Sequence, residues 1–137
     1  MKPIYLLLFS AFLLFNACEQ PTADATESNE TIMETPDRLL RHVVLFNFTD
    51  SASTADVQKI EQAFAGLPAK IPEIYSFEWG TNNSPEGLDK GLTHCFFVTF
   101  LSEEDREVYL PHPAHQEFVE LVGPFVEDVT VVDYWTK

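Results

Sequence analysis

The chain has 137 residues, a formal net charge of −14 and a hydrophobic fraction of 45% that includes 12 Phe. This length favours one domain, and the apolar fraction is high enough for a packed core. The negative charge excludes the Lys- and Arg-rich surface that nucleic-acid binding needs, so no nucleic-acid partner is expected. It also disfavours electrostatic docking onto anionic lipids.

The N-terminal residues have the pattern of a secretory signal. An apolar run at residues 4–15 follows a single lysine, and its 12 residues are too few to span a bilayer. Residues 15–18, Phe-Asn-Ala-Cys, resemble a bacterial lipobox, which implies that residues 1–17 are a signal peptide and that Cys18 is lipidated. Asn16 departs from the commonest pattern, and the alternative is an ordinary cleaved signal that contains a Cys. We therefore expect an exported protein, anchored by lipid to a bacterial membrane on the periplasmic side or the cell surface.

The segment 18–37 is predicted to be a disordered tether that starts at the lipidated cysteine. After Cys18 it contains six acidic residues and no Lys or Arg, and its large apolar side chains are limited to Ile32 and Met33. Such a segment cannot bury enough apolar surface to offset its ordering entropy. Its expected role is to hold a domain at residues 38–137 away from the bilayer.

The first half of this domain has the pattern strand, helix, strand. Val, Leu and Phe predict a strand at 41–48, and Ser53 is the expected N-cap of a helix that ends at the Gly-Leu-Pro of 66–68. A second strand is predicted from Pro72 to Trp79, because aromatic residues alternate there. Residues 80–91 are expected to form a polar loop.

The second half of the domain predicts strand, helix, helix, strand. The strand at 94–101 is apolar on both faces, which favours a central position covered on both sides, and Cys95 within it is expected to be a buried, inert thiol. A capping box at 102–105 predicts a short helix, Pro113 begins another, and a last strand is expected at 129–135. The order βαββαβ is the ferredoxin-like α+β arrangement. Helices would cover one sheet face, and a second copy would cover the other, giving a homodimeric barrel.

Each of the four histidines lies at or near the predicted start of a strand or a helix. His42 and His94 open two strands, while His112 and His115 flank the start of the last helix, shortly after Tyr109. The apolar helix face of His115 directs it inward, where an imidazole can act as an acid or a base, and Tyr109 can donate a hydrogen bond to an oxyanion. Structural roles stay open for each histidine: a strand end for His42 and His94, a helix cap for His112, and core packing for His115.

Four segments, at 42–46, 77–82, 91–94 and 109–115, closely resemble the stress-responsive dimeric α/β-barrel (Dabb) family. The resemblance covers nearly all of residues 40–135, and it is specific because the four motifs occur in the family's order. It implies a homodimeric barrel with a cavity between sheet and helices. Most members of the family have no established activity.

One plant branch of the family cyclises linear polyketides by an aldol reaction without a metal or an organic cofactor. The resemblance implies that His115 is the acid/base of such a site and that Tyr109 assists it, with His42 and His94 nearby. A lipid-anchored protein would not meet substrates made on cytoplasmic synthases. The matching residues therefore favour a shared pocket more than a shared substrate.

Two hypotheses follow, and the sequence leaves open whether any turnover occurs. In the first, a small apolar or phenolic ligand binds in a pocket where His115 and Tyr109 are candidate catalytic residues for cofactor-free, lyase- or cyclase-like acid/base chemistry. The candidate ligand contacts are His42, His94, Phe46, Trp79 and Phe118. In the second, the protein is a non-catalytic structural or stress-response oligomer whose pocket is filled by side chains. No metal is expected, because no Cys pair or acidic motif completes the His-x-x-His spacing of His112 and His115.

Overall fold

The computed structural model describes residues 37–137, so the predicted signal peptide, Cys18 and most of the tether lie outside the described residues. The domain confirms the predicted ferredoxin-like α+β fold. Its elements are β1 (Leu40–Phe48), α1 (Thr54–Ala65), β2 (Ser76–Thr81), β3 (His94–Phe100), α2 (Glu103–Tyr109), α3 (Pro113–Val122) and β4 (Val126–Trp135). Short 3-10 turns at Leu67–Ala69 and Gly123–Phe125 follow α1 and α3.

The four strands form one antiparallel sheet in the order β2-β3-β1-β4. β1 and β3 are the central pair, as the apolar pattern of 94–101 predicts. Because side chains alternate along a strand, the register decides which residues share a face. His42 lies opposite Val98 of β3 and Asp133 of β4, so these three side chains lie on the same face of the sheet, the one that the helices cover.

Local hydrogen bonds define the helix starts. Ser53 accepts a hydrogen bond from the backbone N–H of Asp56 at 3.2 Å, and the Asp56 carboxylate accepts one from the N–H of Ser53 at 3.0 Å. Ser102 and Asp105 form the same capping box on α2. His112 caps α3, because its Nδ1 accepts a hydrogen bond at 3.2 Å from the backbone of the second helical residue. These caps satisfy N–H groups that a helix start otherwise leaves unpaired.

Two strand starts differ from the sequence prediction by three or more residues. β2 begins at Ser76 and not at Pro72, because Ile71 and Ile74 are buried in a turn closed by a 3.2 Å hydrogen bond between Ile74 N and Ile71 O. β4 begins earlier than predicted, at Val126. Two acidic residues interrupt its apolar pattern at a bulge, yet the backbone pairing with β1 continues through it.

The core lies between the helices and one face of the sheet, and aromatic rings dominate it. The ring of Phe64 on α1 stacks on Phe96 of β3 with 4.4 Å between centroids, and Phe118 of α3 lies 4.5 Å from Phe64. Phe46 of β1 contacts the same group at 5.2 Å from Phe96. This cluster fixes both long helices to the two central strands.

The opposite face of the sheet is not covered by any helix of the described domain. Strand alternation places Phe97 and Cys95 of β3 on it, together with the half-exposed Val132 and Tyr134 of β4. Cys95 is therefore only partly buried in the single chain, not fully buried as the sequence suggests. Burial, followed by the nearby charge of Glu78, raises the pKa of its thiol, which keeps it protonated and unreactive.

Candidate functional site

A cavity of about 650 Å³ lies on the helix side of the sheet, between α3 and the strands β1 and β4. At one end, four polar side chains from different elements line it: His42, Tyr109, His115 and Asp133. The rest of its wall is mainly apolar, from Val44, Phe46, Phe64, Leu110, Phe118, Val119, Val122, Val126, Val129 and Val131. A largely apolar cavity with a few convergent polar groups is the usual form of a small-molecule site.

Tyr109 ends α2 and is wholly buried at the polar end of the cavity. Its ring lies 4.3 Å from the ring of His115 and 5.8 Å from that of His42, measured between centroids. The hydroxyl is buried and has no hydrogen-bond partner within residues 37–137. Burial raises the pKa of Tyr109, so the side chain is a neutral donor and not a phenolate. A buried hydroxyl without a partner costs about 1–3 kcal/mol, which a ligand or water oxygen that reached it would recover.

His115 lies in the first turn of α3, partly buried, with one ring nitrogen fixed. Its Nδ1 lies 2.8 Å from the carbonyl oxygen of Leu110, and because a carbonyl only accepts, Nδ1 carries the proton. The neutral imidazole then has its lone pair on Nε2. Burial lowers the pKa of His115, the Leu110 hydrogen bond opposes this, and the neighbouring His42 and His112 lower it further. At neutral pH the ring is therefore uncharged and able to accept a proton.

His42 is held in a chain of charged groups that the sequence analysis did not identify. Its Nδ1 lies 2.6 Å from Oδ1 of Asp133, and Oδ2 of the same carboxylate accepts a hydrogen bond at 3.0 Å from Arg106. Since an ionised carboxylate only accepts, Nδ1 of His42 is the donor. The strand pairing of β1 with β4 is the signal that could have revealed Asp133, because it places Asp133 opposite His42.

The predicted ligand contacts divide into two groups. Phe46 and Phe118 line the same cavity as His42, Tyr109 and His115, so the fold brings five of the sequence-predicted residues together. Both phenyl rings are nearly buried. They form the junction between the aromatic core and the cavity.

His94 and Trp79 lie outside this cavity. They line a separate depression of about 500 Å³ beside the loop between β2 and β3. The two rings stack with an interplanar angle of 10°, and Nε2 of His94 lies 3.1 Å from the carboxylate of Glu61 on α1. His94 thus joins α1 to β3, a structural arrangement distinct from the polar end of the cavity.

Within residues 37–137, no three His, Cys, Asp or Glu side chains converge in a way that could hold a metal ion. The side chains of His112 and His115 make different hydrogen bonds, the first as the helix cap and the second to Leu110. No helix in this part of the chain is long and apolar enough to cross a membrane.

The family model of the stress responsive A/B barrel domain, Dabb, matches residues 40–136. The chain belongs to this family. Among curated Dabb-related proteins, it is 36% identical over 95 residues to the stress-response A/B barrel domain-containing protein HS1 of Arabidopsis thaliana, covering 69% of this chain and 87% of that protein. It is 28% identical over 95 residues to olivetolic acid cyclase of Cannabis sativa, covering 69% and 94% respectively.

Solved structures of other proteins superpose on this domain. Hydroxynitrile lyase from Passiflora edulis superposes with a TM-score of 0.70 at 27% identity, covering 74% of this Dabb chain and 96% of the lyase. A dimeric ferredoxin-like protein from Thermobifida fusca superposes with a TM-score of 0.60 at 26% identity, covering 71% and 90%. A protein named for lyase activity and a dimeric protein therefore share this fold.

Proposed function

We propose that this Dabb protein binds a small apolar or phenolic ligand and acts on it by cofactor-free acid/base chemistry of the lyase or cyclase type. The observation that carries the proposal is the convergence of His115, Tyr109 and His42 at one end of a largely apolar cavity of about 650 Å³. A cavity beside His115 also argues against the alternative of a non-catalytic oligomer, which expects that space to be filled by side chains.

In the proposed chemistry, Nε2 of His115 is the base. For an aromatic hydroxynitrile, it removes the hydroxyl proton while the oxygen electrons form the carbonyl and the C–CN bond breaks. Cyanide leaves with the bonding electrons and takes the proton back from the imidazolium, so an aldehyde and hydrogen cyanide result. Tyr109 would donate a hydrogen bond to the reacting oxygen, and this contact would satisfy its unpartnered hydroxyl.

Two of the related proteins support this class of reaction. The Cannabis sativa relative is named as a cyclase and the Passiflora edulis neighbour as a hydroxynitrile lyase. The alignments cover nearly the whole of both proteins, so the resemblance extends over the complete domain.

We also propose a homodimer in which the uncovered sheet faces of two copies pack together. The dimeric neighbour and the half-exposed Val132 and Tyr134 support this assembly. A Val132→Asp variant should shift the protein from dimer to monomer in sedimentation velocity, because two carboxylates would be buried in the interface. A wild-type protein that sediments as a monomer at micromolar concentration would contradict the dimer.

For location, we propose export and lipid anchoring through Cys18. The short apolar run and the Phe-Asn-Ala-Cys sequence at 15–18 support it. Expressed in a bacterial host, the wild type should gain the mass of several acyl chains and sediment with membranes. Cys18→Ser should lose both properties, and an unmodified wild-type Cys18 would contradict the proposal.

The main test compares His115→Ala with Glu117→Ala, a neighbouring exposed position on α3 that does not line the cavity. With mandelonitrile as substrate and benzaldehyde absorbance as the signal, we expect His115→Ala to lower turnover by roughly 10²–10⁴-fold. Glu117→Ala should keep the wild-type rate. Equal turnover in both variants would remove His115 as the base, whereas failure of wild type to bind 4-hydroxybenzaldehyde in calorimetry would remove the ligand site itself.

A further inference from the structure

The sheet face that the helices leave uncovered, here called the open face, carries a cation and an anion on a largely apolar surface. Strand pairing places Arg41 of β1 and Glu78 of β2 on this face, on either side of β3. We infer that Arg41 of each copy pairs with Glu78 of the second copy when two open faces pack together. This inference rests on the proposed homodimer and names the contact that orients its two copies.

The Arg41 side chain is held against the open face but has no ionic partner there. Its guanidinium carbon lies 5.2 Å from the centroid of the Phe97 ring, and its Nη1 donates a hydrogen bond to the hydroxyl of Thr99. Within residues 37–137, Arg41 takes part in no salt bridge. A guanidinium has five N–H donors, so donors remain for a carboxylate that approaches this face from a second copy.

Glu78 supplies the matching negative charge. Its side chain is exposed and takes part in no salt bridge within the described domain. Glu78 and Arg41 line the same depression of about 220 Å³, together with Ser76, Phe97 and Thr99. Because β3 lies between the two side chains and they make no ion pair in one copy, each charge is available to a second copy.

Packing two open faces together removes both charges from water. Their neighbours on this face include Val43, Leu45 and Val132, whose side chains offer no hydrogen bond to an ion. A charge buried there without a partner strongly destabilises the assembly. In a twofold dimer, every contact between two different residues occurs twice, so two Arg41–Glu78 pairs compensate all four of these charges.

The position of Glu78 along the sheet matches that of Arg41. The register sets Glu78 level with Val43, two positions from Arg41 and roughly 7 Å along the strand. Asp128, an acidic residue of β4, is level with Asn47, six positions from Arg41 and roughly 20 Å along it. Two sheets that stack with their strands aligned in the same direction therefore bring Arg41 to Glu78. The reversed stacking would pair Arg41 with Asp128 and bury Glu78 alone, which makes it less favourable.

Two charge reversals and their mixture test the inference. In Arg41→Glu and in Glu78→Arg, like charges meet between the copies, so each variant should have a dimer dissociation constant at least roughly tenfold above that of the wild type in sedimentation velocity. Mixed in equal amounts, the two variants should form a heterodimer, which native mass spectrometry identifies, because both pairs between the copies then combine opposite charges. A pair within one chain cannot be restored by mixing.

Glu117→Arg is the matched control, because it makes the same charge change at an exposed position of α3, away from the open face. It should dimerise as the wild type does, and it should bind Arg41→Glu at least roughly tenfold more weakly than Glu78→Arg does. Equal binding would overturn the ion pair. Tighter association of Arg41→Glu with Asp128→Arg than with Glu78→Arg would also overturn it.

The double variant Arg41→Glu/Glu78→Arg keeps the test decisive if a single variant does not fold. Each copy then carries both reversed charges, so the double variant should dimerise as tightly as the wild type. A double variant that is monomeric but keeps the wild-type circular dichroism spectrum would contradict the pairing. A wild-type protein that is itself monomeric would instead remove the proposed homodimer, and this contact with it.

Discussion

Two halves of one sheet face are packed in different ways. Over β3 and the adjoining part of β1, aromatic rings fill the space under α1. Phe64 lies 4.4 Å from Phe96 and 5.3 Å from Phe77, and the inward side chains Phe96, Val98 and Phe100 have no exposed surface. This half is a closed core.

Over β4, the same face of the sheet is open. The inward side chains Val129 and Val131 are 49% and 51% exposed, and Val119 on the facing helix is 44% exposed. Valine side chains on both sides are too short to meet, so a cavity remains between α3 and β4. The residues that form the packed core and the open part of the candidate site therefore lie over different strands of one sheet face. Aromatic residues close one half, and short residues keep the other half accessible.

The largest expected effect tests the closed half. Phe96→Ala should lower the free energy of unfolding by about 3–5 kcal/mol, because it removes a fully buried ring outside the cavity lining and leaves a void. Val131→Ala should lower it by less than about 1 kcal/mol, because half of that side chain is already in solvent. Urea denaturation measures both, and similar losses would mean that the two halves are equally packed.

The next effect concerns the polar end of the open half. In Asp133→Asn, the amide oxygen would be retained by Arg106, so the NH₂ group would face His42 and force its proton from Nδ1 to Nε2. We expect turnover to fall by roughly ten- to a hundredfold. The ¹⁵N shifts of the His42 ring report the tautomer directly, and an unchanged tautomer would contradict the role given to Asp133.

A smaller effect is expected from filling the cavity. Val131→Phe should weaken binding of 4-hydroxybenzaldehyde by about tenfold while changing the free energy of unfolding by less than about 1 kcal/mol, since the added ring occupies existing space. Val108→Phe is the matched control, because Val108 is a similarly exposed valine on α2 that does not line the cavity. It should leave ligand affinity unchanged. If both variants weaken binding equally, the ligand does not occupy the α3–β4 cavity.

The smallest effect is a pH dependence of stability from His115. Its pKa in the folded protein is lowered below the ordinary value of 6.5, so the unfolded chain takes up the proton first as the pH falls. Stability should therefore decline from about pH 6.5 downward and stop declining below the folded pKa, and His115→Gln should lose this contribution. The acid limb of the pH–turnover profile should have its midpoint below pH 6.5. A midpoint above that value would contradict burial as the dominant influence on the pKa of His115.

The sequence by itself determined the local elements of this protein and the family to which it belongs. Ser53 with Asp56, and Ser102 with Asp105, specify two helix starts, because a capping box needs only residues three positions apart. The order of strands and helices then led to the ferredoxin-like fold. The family motifs in the sequence also identified Tyr109 and His115 as candidate catalytic residues. These two residues are close enough along the chain to lie together where α2 meets α3.

Tertiary structure alone decided which of the other residues share the cavity. His42 and Asp133 are 91 residues apart and meet only through the register of β1 with β4. Conversely, His94 and Trp79 have the residue types of a binding site and lie on the same sheet face as the cavity, yet they lie beside the loop between β2 and β3, outside the cavity, where His94 pairs with Glu61 of α1. The physical reason is that strand register and helix placement depend on contacts between distant segments, which no local pattern of residues specifies.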